Sequence, residues 1–176
     1  DEDDVLLTYV TGHSSVSNRS GSQTSELSFK VQDENGSYLL NFPIKFHVTS
    51  DGSNYFTDAR YVINTNASGY ANFDFNATCL SDFTGSPKYT VGTQAWKVTV
   101  NTSELGEYDQ NDSSAWLARN TSVQGDIILT YSTPDGSANF TQENTIAFLG
   151  ATTDDCGDAL VSTVIYTANA TTGGLG

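Results

Sequence analysis

The most distinctive chemistry in this sequence is a set of asparagines that could accept N-linked sugars. Nine of the 14 asparagines are followed two positions later by Ser or Thr with no proline between, which is the acceptor pattern for oligosaccharide transfer. A random arrangement of the Ser and Thr residues would give about three such triplets, so we expect them to be used rather than accidental. Their use predicts an extracellular or cell-surface chain. The acceptors are Asn18, Asn35, Asn66, Asn76, Asn101, Asn111, Asn120, Asn139 and Asn169.

The two cysteines allow at most one disulfide within the chain. Cys79 and Cys156 lie far apart, and neither belongs to a CxxC or HxxxH spacing, so the count gives neither a disulfide framework nor a zinc site. They could pair with each other, stay separate thiols, or pair with residues outside this segment. We therefore treat both as disulfide candidates.

Clustered acidic residues could supply oxygen ligands to calcium. None of the clusters has the spacing of an EF-hand loop or of a calcium-binding repeat. We therefore expect turn acids in solvent, with calcium as the less favoured alternative, and no cofactor beyond covalently attached glycans. The clusters are Asp1/Glu2/Asp3/Asp4, Asp33/Glu34 and Asp154/Asp155/Asp158.

Other functional classes find little support in the sequence. His13 and His47 are the only histidines, and no nucleophile elbow or HExxH helix is present, so we expect no enzyme. The formal charge of −14 repels phosphate backbones and anionic lipid surfaces, which argues against a nucleic-acid partner. No apolar run reaches the length of about 18 residues needed to span a bilayer, so we expect no direct membrane insertion.

The elements that carry these residues have a hydrophobic period of two. Short segments rich in aromatic and β-branched residues alternate with Gly, Asn, Asp and Ser turns, which is typical of strands in an all-β sandwich. The predicted strands are 26–31, 42–48, 69–75, 95–100, 126–131 and 144–150.

Alternation along three of these strands predicts which side chains face the core. In each strand the polar residues between core positions face outward; Lys45, His47, Asn76 and Asn101 are examples, and Asn66 is expected to face outward as well. The predicted core positions are Phe42, Ile44, Phe46, Ala71, Phe73, Phe75, Trp96, Val98 and Val100.

The chain also contains an internal repeat. The segment "DVLLTY" at 4–9 matches "DIILTY" at 126–131, and 31–48 aligns with 152–169 through a shared acidic pair, a turn glycine and a following strand. Residues 49–121 have no second copy. We therefore predict a complete repeat at 1–118 and an incomplete repeat at 119–176, completed by strands from a neighbouring subunit or by downstream sequence.

The order of these motifs resembles a known family. The "DENG" turn, the strand ending "IKFHVTSDG", the segment "TNASGYANFDF" and the strand "VGTQAWKVTV" resemble the bacterial immunoglobulin-like repeats of invasin and intimin type, and most closely their tandem versions in archaeal surface proteins. The resemblance implies an extracellular Ig-like β-sandwich that acts as a spacer, stalk, surface-layer or fibre module, without catalytic residues.

The resemblance also bears on the cysteines. Similar archaeal repeats often carry a second cysteine near a tyrosine after the Trp strand, whereas "GEYDQ" at 106–110 has none. Cys156 falls where the first repeat has Asn35, so the two cysteines belong to different repeats. A bridge between Cys79 and Cys156 would link the complete repeat to the incomplete one, or one chain to the next if strands are exchanged.

Two functions follow as hypotheses. The first is a structural subunit of a glycosylated fibre, stalk or surface layer, in which copies of the chain form a linear polymer by β-strand complementation through 4–10 or 160–168. The second is an adhesin or a carbohydrate- or receptor-binding module that uses loops such as 50–62 or 80–92. Aromatic residues that could serve the second function, although we favour core, hinge or glycan-packing roles for them, are Tyr38, Tyr55, Phe56 and Trp116.

Overall fold

The computed structural model describes residues 3–19, 23–56, 59–79, 88–100, 108–110, 119–135, 137, 145–161 and 163–167. The chain divides into two compact units, Asp1–Gly125 and Asp126–Gly176. Regular structure in the described residues is almost entirely β, apart from a short 3-10 segment at Ala59–Tyr61. Nowhere in this described part is there a helix with the length and hydropathy of a transmembrane span.

The described part of the first unit holds ten strands. In chain order they are β1 (Asp3–Thr11), β2 (Ser15–Asn18), β3 (Ser25–Asp33), β4 (Pro43–Thr49), β5 (Tyr55–Phe56), β6 (Val62–Asn64), β7 (Tyr70–Phe75), β8 (Gly92–Val100), β9 (Tyr108–Gln110) and β10 (Arg119–Gln124).

These ten strands form two sheets. Sheet I has the order β7-β3-β1-β9, and sheet II has the order β2-β10-β8-β4-β5, with β6 also paired to β4. Pairing is antiparallel except for β1 with β9 and β2 with β10. The longer strands β1, β3 and β7 thus lie in sheet I, and β4, β8 and β10 lie in sheet II, so the chain crosses between the two sheets of a β-sandwich.

The chain passes from sheet I to sheet II between β1 and β2, and Gly12 lies at this crossing. Its φ of 110° is in the region that favours glycine, and a Cβ there would lie 2.8 Å from Leu27 Cδ2 and 2.9 Å from Trp96 Cζ2. The carbonyl oxygen of Gly12 accepts a hydrogen bond from Trp96 Nε1 at 3.3 Å. Glycine therefore allows the crossing to run directly against the core.

The core between the sheets is strongly aromatic. Trp96 is fully buried, and its ring lies 5.7 Å from Phe29 and 6.3 Å from Phe46, measured between centroids. The core residues expected from alternation on 42–46, 71–75 and 96–100 are all buried, so the sandwich prediction is confirmed. Packing of this kind fixes the relative position of the two sheets, because offset and edge-to-face rings interlock.

The second unit contains a single sheet among its described residues. It consists of β11 (Ile127–Thr133) paired antiparallel with β12 (Leu149–Asp154). The strand predicted at 144–150 is therefore misplaced, since 145–148 are not in a strand and β12 continues to Asp154. The apolar run 146–149 favours a strand at 144–150. Backbone pairing with β11 instead places β12 at Leu149–Asp154, which includes a polar segment.

Several polar strands have no recognisable signal in the sequence. β10 has the sequence "RNTSVQ", yet it pairs with both β8 and β2, and its Thr121 and Val123 are buried. β10 belongs to the first compact unit, which ends at Gly125. The short strands β2, β5, β6 and β9 gave no periodic signal.

Candidate functional site

The second unit repeats the strand pairing with which the first unit begins. Leu7 pairs with Val31 in the first unit, and Leu129 pairs with Thr152 in the second, at offsets of 122 and 121 residues. These offsets hold along both strand pairs. The register even shifts at equivalent places, after Tyr9 in β1 and after the matching tyrosine in β11.

The turn that follows each strand pair is also repeated. Asp33 Oδ1 accepts hydrogen bonds from the backbone N–H of Asn35 and Ser37 at 3.0 and 2.7 Å. In the second unit, Asp154 Oδ1 accepts from Cys156 and Asp158 at 3.0 and 2.8 Å. A glycine with positive φ completes both turns, at 82° and 81°. These two acids thus have a turn-forming role.

The surroundings of the two strand pairs differ sharply. In the first unit the inward side chains of the pair are covered by sheet II, whereas none of the described residues of the second unit is buried. The exposed fractions of equivalent side chains are 0% for Val5 and 72% for Ile127, 2% for Leu7 and 56% for Leu129, 0% for Leu27 and 41% for Phe148, and 0% for Ile44 and 86% for Ile165.

We call the exposed apolar set Ile127, Leu129, Phe148 and Ile165 the open face. A concentration of exposed large apolar side chains in one small unit of an otherwise polar chain is typical of an interaction site. A two-stranded sheet without a covered face is also marginally stable in water. The open face is therefore the candidate functional site of the chain.

The structure describes five of the nine glycan acceptors. Asn35, Asn66, Asn76 and Asn120 are exposed, and Asn18 is half-buried in β2. The other four, Asn101, Asn111, Asn139 and Asn169, lie outside the described residues.

Two acceptors frame an edge strand. Asn66 and Asn76 lie at either end of β7, which is the outer strand of sheet I. Asn66 Oδ1 accepts hydrogen bonds from the backbone N–H of Ser68 and Tyr70, at 2.9 and 3.1 Å. Sugar is attached to the Nδ2 atom, so this turn and a glycan are compatible. Asn18 likewise lies in β2, the outer strand of sheet II.

Neither Cys79 nor Cys156 is a free thiol. Cys79 lies in the first unit, shortly after β7, and Cys156 lies in the Asp154 turn of the second unit. Pairing between the two remains a prediction.

Another acidic side chain also organises a turn. Asp51 accepts hydrogen bonds from the backbone N–H of Ser53 and Asn54, at 2.9 and 2.7 Å. Together with a bond from the Asn54 side chain, these contacts lower the pKa of Asp51 to about 2. The carboxylate thus stabilises the loop after β4.

His47 is half-buried rather than fully solvated, contrary to the expectation for an outward position. Its Nε2 atom lies 2.9 Å from Thr99 Oγ1 on the neighbouring strand β8. Burial, followed by the charges of Lys97 and Lys45, lowers the pKa of His47 to about 4. The imidazole is therefore neutral at pH 7. His13 takes part in a local contact, in which its Nδ1 atom accepts from the Asn120 backbone N–H at 3.2 Å.

A lysine ammonium group covers one face of two of the aromatic candidates. Lys30 Nζ lies 4.2 Å from the ring centre of Tyr38, and Lys97 Nζ lies 4.4 Å from that of Tyr55. Phe56 packs edge-to-face on Tyr61, with 5.7 Å between the ring centroids. Trp116 lies outside the described residues.

Neither a protein-family model nor a curated protein matches the sequence. Among solved structures, the chain is similar to one described as "Crystal structure of tetra-tandem repeat in extending region of large adhesion protein". The sequence identity is 15%, the TM-score is 0.35, and the match covers 87% of this chain but only 31% of the other. Similarity at this level carries no functional information about this chain.

Proposed function

We propose that this chain is a structural module of an extracellular, N-glycosylated fibre or surface stalk, in which copies are joined head to tail by β-strand complementation. The second unit is the observation that carries the proposal. Its described residues have the strand pairing of a sandwich but no buried core. Such a sheet gains stability only when another surface covers it.

Covering the open face is energetically favourable. Moving one Ile, Leu or Phe side chain from water into a core contributes roughly 1.5–3 kcal/mol. If the four side chains of the open face were fully buried, they would together contribute at most about 6–12 kcal/mol, from which the costs of association and ordering are subtracted. This gross gain is of the same size as the cost of association, so the backbone pairing of an added strand would have to contribute as well.

The distribution of charge favours a head-to-tail arrangement over contact between two second units. All seven Lys and Arg residues lie in residues 1–125, whereas 126–176 contain acidic residues and no Lys, Arg or His. Two second units would therefore repel each other with no base to offset the repulsion. The first unit also carries a net charge of −8, from 7 basic and 15 acidic residues, but its lysines and arginines allow local pairing with acids of the second unit. Head-to-tail contacts that do not close into a ring generate filaments.

The glycan acceptors are compatible with this role. Asn66 and Asn76 frame the outer strand of sheet I, and Asn18 lies in the outer strand of sheet II. Sugars at such places hinder edge-to-edge aggregation between sheets. The first unit would then be protected along its edges, while the second unit keeps its open face for assembly.

An adhesin or carbohydrate-binding module is the second candidate. The exposure of Tyr38 and Tyr55 favours it, since sugars stack on such rings. A lysine already covers one face of each ring, however, so only the opposite face could bind a ligand. This candidate also leaves the open face without a role.

The proposal is tested by protein purified from its native source and examined by electron microscopy and light scattering. We expect filaments or arrays, with monomers produced by the double substitution Ile127→Asp and Leu129→Asp. Val91→Asp is the matched control, because Val91 is 54% exposed in the first unit. A wild-type monomer whose second unit is strongly protected from hydrogen exchange would contradict the proposal and would indicate completion within one chain.

A further inference from the structure

The strands β1 and β11 are near copies of each other. Four of the six residues in "DVLLTY" and "DIILTY" are identical, and the differences are Val5 to Ile127 and Leu6 to Ile128. β1 pairs antiparallel with β3 and β11 with β12, in the same register and with a shift at the same place. β11 therefore offers the same or closely similar side chains, in the same order, as β1.

The position of β1 in the first unit is specific for these side chains. Val5 and Leu7 are buried, and the Tyr9 ring lies 5.9 Å from Phe29 and 6.2 Å from Trp96, measured between centroids. Arg119 also lies over the Tyr9 ring, at 4.8 Å. A strand that replaced β1 would have to supply two aliphatic side chains and a tyrosine at alternate positions.

β11 meets this requirement. Leu129 and Tyr131 are identical to the residues they would replace, and Ile127 exceeds Val5 by one methylene group. In the second unit these three side chains are 56%, 64% and 72% exposed, in that order. The sequence of β11 is thus suited to a core position that its own unit does not provide among the described residues.

β12, by contrast, lacks the core side chains of β3. Gly150 stands at the position of Phe29, and Thr152 at that of Val31. Phe29 packs edge-to-face on Trp96, so its replacement by glycine would remove a central ring from the core. An exchange of the whole β11-β12 hairpin is therefore disfavoured, whereas an exchange of β11 alone preserves the core.

We infer that β11 of one copy occupies the β1 position of the next copy, antiparallel to β3, with Leu129 opposite Val31 and Tyr131 opposite Phe29. This inference rests on the proposed function, and it names the strand and register of the link. The displaced β1 pairs with the vacated β12 in the register that β11 leaves. The number of strand pairs is unchanged, and the cover that Ile127 and Leu129 gain is offset by the cover that Val5 and Leu7 lose. Exchange therefore depends on a high local concentration of copies, as in domain swapping.

Chemical crosslinking between two differently labelled copies tests the register. Thr8 pairs with Lys30 within one chain, so exchange places Thr130 opposite Lys30 of another copy. We would mix a Lys30→Cys copy with a Thr130→Cys copy under assembly conditions and add a short bismaleimide. Both native cysteines are oxidised and do not react. Leu129→Cys is the control, because in the exchanged strand its side chain faces the core.

We expect a crosslinked dimer of Lys30→Cys with Thr130→Cys in several-fold excess over the control. Assemblies that form without this crosslink would overturn the inference and leave the proposed function intact. If no assembly forms with wild-type protein at any concentration, both are overturned.

A core substitution provides an independent test. Leu7→Asp should expel β1 from the sandwich, and β11 of another copy should take its place, so the first unit stays folded and the crosslinked fraction rises several-fold. Combining Leu7→Asp with Leu129→Asp removes the substitute strand, and folding should be lost. Leu27→Asp in β3 should not be rescued. The inference is wrong if Leu7→Asp unfolds the first unit at every concentration, as the double variant does.

Discussion

The pairs β1-β3 and β11-β12 have the same register, the same shift and the same aspartate turn, yet only the first is covered by a core. Backbone pairing and turn chemistry are therefore properties of the local sequence in this chain. Burial is a property of the strands that come later, since Phe46, Trp96 and Val98 arise from β4 and β8. The stability of the first unit should thus depend on its aromatic core, and that of the second on a partner.

The largest expected difference between the units comes from the core. Trp96→Ala should lower the free energy of unfolding of the first unit by about 3–5 kcal/mol, because it removes a ring in contact with Phe29 and Phe46. Urea titration followed by far-UV circular dichroism measures this loss. Ile165→Ala is the control in the second unit, with an expected change within about 0.5 kcal/mol. Similar losses of unfolding free energy for the two variants would contradict the view that only the first unit is stabilised by a core.

The crossing between the sheets gives the next largest effect. Gly12→Ala should lower the stability of the first unit by about 2 kcal/mol or more, because the new Cβ meets Leu27 and Trp96 in a backbone conformation that disfavours alanine.

The control for this prediction is Gly36→Ala. Gly36 also has a positive φ, but the nearest atom to a new Cβ is the flexible Gln32 Nε2 at 3.9 Å. Its cost should be only about 1 kcal/mol, from the backbone conformation alone. Equal urea midpoints for the two variants would show that contact at the crossing adds nothing.

Much of the first unit could be predicted from the sequence, because alternation along β4, β7 and β8 is a strong local signal. The polar strand β10 could not, since burial of its Thr121 depends on hydrogen bonds to Ser15 and Ser25 from distant parts of the chain. The position of β7 at the edge of sheet I could not be predicted either, because strand order is set by long-range packing.

The candidate site was only partly predictable. Alignment of "DVLLTY" with "DIILTY" identified the repeat, but exposure of Ile127 depends on which strands surround it rather than on its own segment. The predicted strand at 144–150 begins five residues before β12, because the apolar residues at 146–149 favour a strand there. Pairing with β11 includes the polar residues Thr152 and Thr153 instead.

The pH dependence of the first unit gives a smaller effect. The pKa of His47 is about 4 in the folded protein against an ordinary 6.5, so between these values the unfolded chain binds more protons. Stability is therefore fully present above pH 6.5 and falls as the pH drops toward 4. We expect a loss on the order of 1–2 kcal/mol, reduced by the partial solvent exposure of the ring.

Urea titrations at pH 7.5 and 4.5 measure this loss. His47→Gln is the control, because it keeps a hydrogen-bonding group near Thr99 and cannot titrate. His13 is present in both proteins, so its contribution cancels. The second unit contains no histidine and should show no corresponding loss in hydrogen exchange. An unchanged pH profile in the variant would assign the effect to other groups.

The smallest effect tests the repeated turns directly. Asp33→Ala removes two hydrogen bonds to backbone N–H groups and should lower the free energy of unfolding of the first unit by about 1 kcal/mol. Asp154→Ala removes the equivalent bonds in the second unit. It should leave the urea midpoint unchanged and only accelerate amide exchange at Cys156 and Asp158, because local opening there is not coupled to a core. If both variants lower the midpoint equally, the second unit folds cooperatively without a partner, and its open face is not what drives assembly.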